Sequence, residues 1–108
     1  MDAHENPVLF RVHRAPVKHG RDVTAVFPTL PSDYDGHNMT CYAHIGQHGG
    51  CGWDWYHKTR PATPEEYASL KAELEAEPYG YRLKAYRKIT PQHRAAFRAE
   101  HDRLRVAQ

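Results

Sequence analysis

Hydrophobic and polar residues alternate in several short stretches of the chain. Val8, Phe10 and Val12 alternate with mostly polar neighbours, and Val23, Ala25 and Phe27 repeat the pattern. Side chains of a strand point to opposite faces in turn, so each stretch predicts a half-buried strand. Pro16 and Gly20 place a turn between them, and Pro28 to Gly36 reads as a long loop rich in proline and aspartate. Residues 39–45 predict a third strand, with Met39, Cys41, Ala43 and Ile45 on one face and Thr40, Tyr42 and His44 on the other. The glycine-rich stretch from Gly46 to Gly52 reads as a flexible turn. Trp53 to His57 is aromatic and β-prone, which predicts the returning strand of a hairpin.

Beyond residue 62 the period lengthens to that of a helix. Thr63 suits the N-cap, Pro64 the first helical position, and Glu66 the third position of a capping box. Tyr67, Leu70 and Leu74 fall on one stripe, and Pro78 and Gly80 place the end near Glu77. Residues 81–89 predict a further strand, with Tyr81, Leu83, Ala85 and Ile89 on one side and Arg82, Lys84, Tyr86 and Lys88 on the other. Thr90-Pro91 opens a second helix by the same cap logic. Its apolar stripe is thin: Phe97 and Leu104, with His93, Ala96 and His101 nearby. The order ββββαβα predicts an α+β fold, a mostly antiparallel sheet of about five strands with two helices packed on one face. The 108 residues make a single domain (1–108), long enough to bury a core without metal or disulfide, with residues 1–7 expected to be disordered.

Charge changes the picture more than overall composition does. From Pro78 onward eight basic residues face two acidic ones, whereas the rest of the chain holds seven basic and eleven acidic residues. The net charge of +2 therefore hides a basic end and an acidic remainder. No apolar run approaches the roughly 20 residues of a membrane helix, and the first residues carry no basic and apolar leader. A cytoplasmic location is expected, with Cys41 and Cys51 as reduced thiols.

Four candidate constellations follow. Cys41, His44, His48 and Cys51 offer sulfur and imidazole ligands suited to tetrahedral zinc. Strand alternation sends Cys41 and His44 to opposite faces, so they meet one ion only if the strand breaks. The same window holds a possible thiol nucleophile, Cys51, with His44, His48 and Asp54 close in sequence, but no oxyanion site accompanies it. An adhesive surface for a protein partner is read from His44, His48, Trp53, Asp54, Trp55 and Tyr56, because aromatic residues give large contact area. The alternative is a nucleic-acid surface on the basic end. Arg82, Lys84, Tyr86 and Lys88 share a strand face, and Arg94, Arg98 and Arg105 share a helix face. Grouped cations bind phosphates, and Tyr86 is a ring on which a base can stack. The window of four histidines (His37, His44, His48 and His57) also allows binding to change between about pH 5.5 and 7. No catalytic residue and no cofactor are assigned, so a non-enzymatic binding protein is the expected class.

The runs Val23-Thr-Ala-Val-Phe-Pro28, Thr40-Cys-Tyr-Ala-His-Ile-Gly-Gln-His48 and Thr59-Arg-Pro-Ala-Thr-Pro-Glu-Glu-Tyr67 resemble short uncharacterised proteins of bacterial phages and mobile elements. The likeness runs from about Val8 to Leu104. It implies no reaction and no catalytic residue. It implies an accessory protein that binds a host or phage macromolecule, such as a component of a defence system.

Overall fold

The computed structural model describes residues 6–14, 23–32, 38–42, 48–76 and 79–106. Its elements are β1 (Asn6–His13), β2 (Thr24–Pro31), β3 (Asn38–Tyr42), β4 (His48–Gly52), α1 (Trp53–His57), β5 (Thr59–Pro61), α2 (Pro64–Glu75), β6 (Leu83–Ala85) and α3 (Pro91–Val106). The fold is α+β, as the patterning predicts. The strands form one sheet in the order β4-β3-β2-β1-β5, antiparallel throughout, with β6 added parallel to β1. β5 and β6 lie end to end on one edge of β1. The Ala62 N–H donates to the Phe10 carbonyl at 2.7 Å, and the Tyr86 N–H donates to the Val8 carbonyl at 2.8 Å.

The central strands are buried on both faces, which refines the half-buried reading of β1 and β2. Val8 to Val12 are buried without a break, and so are Ala25 to Pro28. Such runs need cover on both sides. One face gathers Val8, Phe10, Val12, Ala25, Phe27 and Tyr42 under Leu70 and Leu74 of α2. The other gathers Leu9, Val26, Met39 and Cys51, with Trp53, Tyr86, Ile89 and Phe97 packed against them. Both long helices pack on the sheet as expected, and they divide between its faces because both faces are apolar.

Several local expectations hold. Thr63 caps α2 with a full capping box, Pro64 opens it, and Tyr67, Leu70 and Leu74 face the core. Burying each leucine contributes about 1.5–3 kcal/mol. In β3, Met39 and Cys41 pack on one face and Tyr42 on the other, as period two requires.

Other local expectations are corrected. The glycine-rich stretch is not wholly a turn: His48–Gly52 is an edge strand, registered so that Met39 faces Cys51 and Cys41 faces Gly49. At Gly50 a Cβ would stand 2.6 Å from Ser32 Oγ, so the bare backbone permits this close approach. Trp53–His57 is a helical turn rather than a strand. At helical spacing Trp53 meets Tyr56 edge-on at 5.8 Å and His57 at 6.5 Å, contacts that an extended chain would separate. β2 runs on through Pro28 to Pro31 across a register shift, the place in a sheet where prolines are tolerated. The strand expected over 81–89 is only three residues long. Leu83 joins the α2 face and Tyr86 the other, as alternation expects, but Ile89 joins Tyr86 instead of Leu83 because the chain bends at Arg87 and Lys88. Asn6 and Pro7, expected among disordered residues, are the first two residues of β1. The expected turn around Pro16 and Gly20, residues 33–36 of the expected long loop and the end of the third strand at 43–45, His44 included, lie outside the described residues.

Candidate functional site

The bend after β6 and the short α1 bring together two groups of residues far apart in sequence. A cleft of about 240 Å³ opens between α1 and α3. Pro28, Ile89 and Phe97 form its apolar part, Arg94, Arg98 and His101 its basic wall, and Trp53 its aromatic side. The Arg94 guanidinium lies over the Trp53 ring, 4.9 Å from its centroid. A cation over indole is held by the ring quadrupole, and the stack leaves the edge N–H groups of the guanidinium free to bind an anion. Arg98 follows four residues later on the same side of α3, and among the described residues no acidic side chain lines the cleft.

The start of α3 is fixed by a cap that uses histidine in place of glutamate. Thr90 Oγ1 accepts from the His93 N–H at 3.1 Å, and the Thr90 N–H donates to His93 Nδ1 at 3.1 Å. This is the reciprocal geometry of a capping box. His93 is buried, and desolvation holds its pKa below the usual imidazole value. Its ring meets the edge of Tyr86 at 4.4 Å, and Lys84 Nζ lies 5.7 Å from the Tyr86 ring. The Lys84–Tyr86–His93 contacts thus join the basic strand to the basic helix.

From Tyr79 to Ala99 the chain holds no aspartate or glutamate, yet six cations: Arg82, Lys84, Arg87, Lys88, Arg94 and Arg98. All six are exposed, and none forms an ion pair among the described residues. Arg105 lies in the last turn of α3, beyond Arg103, which pairs with Glu100. Tyr86 is half-buried between Lys84 and His93, so much of its ring already has neighbours.

The aromatic candidates sit beside this basic segment. Trp53, Trp55 and Tyr56 are half-buried over the second face, and Asp54 is exposed. Trp55 meets His13 edge-on at 6.0 Å. Tyr56 covers Arg11, whose guanidinium lies 4.3 Å from the ring centroid. Sequence reasoning passed over Arg11. It is buried, donates to Thr59 Oγ1 and the Thr59 carbonyl at 2.8 Å each, and has no carboxylate partner among the described residues. Burial lowers its pKa, yet an arginine stays charged. The signal was a single charged residue inside the apolar run Val8–Val12.

Of the zinc candidates, Cys41 and Cys51 are brought together on one face, both as free thiols. His48 is the first residue of β4, and His44 lies outside the described residues. Among the described residues no group of three or more metal-ligating side chains converges. No helix among them is long and apolar enough to cross a membrane.

No family model matches the chain, and neither a curated protein nor a solved structure does.

Proposed function

We propose that the protein is a non-enzymatic accessory protein that binds single-stranded nucleic acid along the segment from Arg82 to Arg98. One observation carries the reading: six exposed cations, none in an ion pair among the described residues, run without an intervening acid into a cleft walled by Trp53. Phosphates supply the missing counter-charge. The Arg94–Trp53 stack and the apolar part of the cleft accept one unstacked base. A cleft of about 240 Å³ is smaller than most small-molecule sites, which suits one base or side chain better than an enclosed cofactor. Aromatic rings interleaved with cations favour a single strand over a duplex, whose bases are already stacked. An accessory role on a phage or mobile element is compatible with such binding.

The test is anisotropy of a short labelled single-stranded oligonucleotide against rising salt. Affinity falls steeply with salt as counterions are released, and Trp53 fluorescence changes on binding. Absence of binding at low salt, or affinity indifferent to salt, rules the reading out.

A protein partner is the second reading, favoured by the half-buried Trp53, Trp55 and Tyr56 on one helical turn. A partner captured from nuclease-treated lysate and lost in Trp55→Ala supports it. Capture that disappears with nuclease counts for the first reading instead.

A further inference from the structure

The two cysteines stand apart from the basic cleft and rest on separate observations. The register of β3 and β4 sets Met39 opposite Cys51 and Cys41 opposite Gly49, so the cysteines are diagonal neighbours on one sheet face. Both belong to the second apolar cluster, with Cys51 only 6% exposed and Cys41 half-buried. The Cys51 thiol donates to the Met39 carbonyl at 3.6 Å, and its sulfur lies close enough to Cys41 for the two thiols to shift one another's titration in opposite directions. We infer that Cys41 and Cys51 are a built modification site, closing to a reversible cross-strand disulfide when the protein meets a peroxide.

The two thiols are not equivalent. Cys41 is the more accessible, and the hydrogen bond from Cys51 draws its pKa down while that of Cys51 is pushed up. Cys41 is therefore the attacking thiolate. Its sulfur takes one oxygen from the peroxide, the O–O bond breaks, and the other oxygen leaves as hydroxide or, from an organic peroxide, as alkoxide. The Cys51 sulfur then displaces the hydroxyl of the sulfenic acid, which departs as water with the Cys51 proton. Two thiols are oxidised to one disulfide and one peroxide is reduced. A dithiol reductant reverses the change by exchange.

Closure asks little of the backbone. Diagonal partners in a sheet lie about 7–8 Å apart at Cα, whereas a disulfide spans about 4.4–6.8 Å, so β4 must slip along β3 by about 1 Å or more to bring Cys51 towards Cys41. β4 is an edge strand with glycine at 49, 50 and 52, and the space beside Gly49 is open. From Gly49 to Gly52 only Cys51 carries a packed side chain, so a shift of this strand moves little else.

The experiment treats the folded, reduced protein with hydrogen peroxide, alkylates it, and weighs the intact chain. The expected product is a monomer lighter by two hydrogens, with neither thiol alkylated, that regains both thiols in dithiothreitol. A chain that gains oxygen at Cys41 while Cys51 remains alkylatable overturns the inference, as does a disulfide formed only between chains. Equilibration with glutathione, folded and in urea, isolates the contribution of the fold. The folded chain is expected to favour the disulfide about tenfold or more over the unfolded one. Equal equilibria would mean that the fold does not build the site. Neither readout requires nucleic acid, so failure here leaves the proposed function standing, and the reverse holds too.

Discussion

The two long helices begin alike and end as opposites. Each starts on a threonine followed by proline, with a reciprocal cap three residues on: Thr63 with Glu66 for α2, Thr90 with His93 for α3. From there they diverge. α2 carries four glutamates against one lysine, and its charges are largely spoken for. Glu66 accepts from Arg60 at 2.9 Å, Lys71 pairs with Glu75 at 2.9 Å, and the Tyr42 hydroxyl donates to Glu73. Two leucines of α2 are fully buried. α3 carries four arginines against one glutamate and one aspartate, and it packs Phe97 on the second apolar cluster, with His93 buried against Tyr86. The α2 side is complete in itself, while the α3 side holds charge that nothing in the described chain neutralises. A molecule of this size gains little by keeping cations apart from its own acids unless an outside anion uses them.

The largest expected effect tests the structural half of that contrast. Leu70→Ala empties a fully buried site under the sheet and should cost about 2–5 kcal/mol in urea unfolding. Phe97→Ala removes a half-buried ring and should cost less, about 2 kcal/mol or under. Oligonucleotide affinity should survive Leu70→Ala wherever the protein remains folded. Equal costs at the two sites, or loss of binding in folded Leu70→Ala, would break the division between the helices.

The next effect lies in binding. Arg94→Ala with Arg98→Ala should lower affinity for a single strand at least about tenfold at low salt and flatten the salt slope by about 1.4, two phosphate contacts' worth. The same pair should cost at most about 1 kcal/mol of stability, chiefly through the lost stack on Trp53. Replacing Lys71, a cation already paired on α2, should leave the slope unchanged. An equal response at Lys71 would mean that net charge matters and the cleft does not.

How much of this was legible beforehand differs along the chain. α2 was written in full, because its cap, proline and leucine stripe act locally and agree with one another. β1 was found but misjudged: alternation marked Val8, Phe10 and Val12, and hid that Leu9 and Arg11 are buried against the other face. Trp53–His57 was mistaken for a strand because β-propensity describes a pleated surface, while here ring contacts at helical spacing prevail. The basic residues of the cleft were found from charge layout alone. Their meeting with Trp53 was not, since it depends on a bend at residues 87–88 and on a five-residue helix that no period announces. Arg11 under Tyr56 was missed for the same reason.

A smaller effect separates the two caps by acid. Burial lowers the pKa of His93 below its usual value of 6.5, so the fold holds the neutral ring and the unfolded chain takes the proton first. The stability it contributes is complete above that value and is lost as pH falls through the folded pKa. Protonation also removes the Nδ1 acceptor that receives the Thr90 N–H. His93→Gln retains an acceptor at this position without titrating, as in an ordinary capping box. Unfolding in urea at pH 7 and pH 5 should show the wild type losing more than His93→Gln, by about 1 kcal/mol, the value of a cap. Identical losses would remove His93 from the account.

The smallest effect completes the contrast at lower pH. Hydrogen bonds from Arg60, then from the Thr63 backbone, pull the Glu66 carboxyl from 4.5 down to about 2. A depressed carboxyl contributes stability that is complete above the unfolded value and is lost as pH falls from 4.5 towards about 2. The Arg60–Glu66 pair is about a third exposed, so solvent screens it and added salt should shrink its share further. Glu66→Gln keeps an acceptor for the Thr63 N–H and loses only the charge, so its acid unfolding should be flatter in that window. The two caps should therefore fail in sequence as pH is lowered. Amide exchange should quicken first at the start of α3, where an imidazole gains a charge it cannot use. It should quicken later at the start of α2, where a carboxylate loses one that it needs. If both starts loosen together at the lower pH, His93 is not the acid-sensitive cap, and the helices differ in surface charge alone.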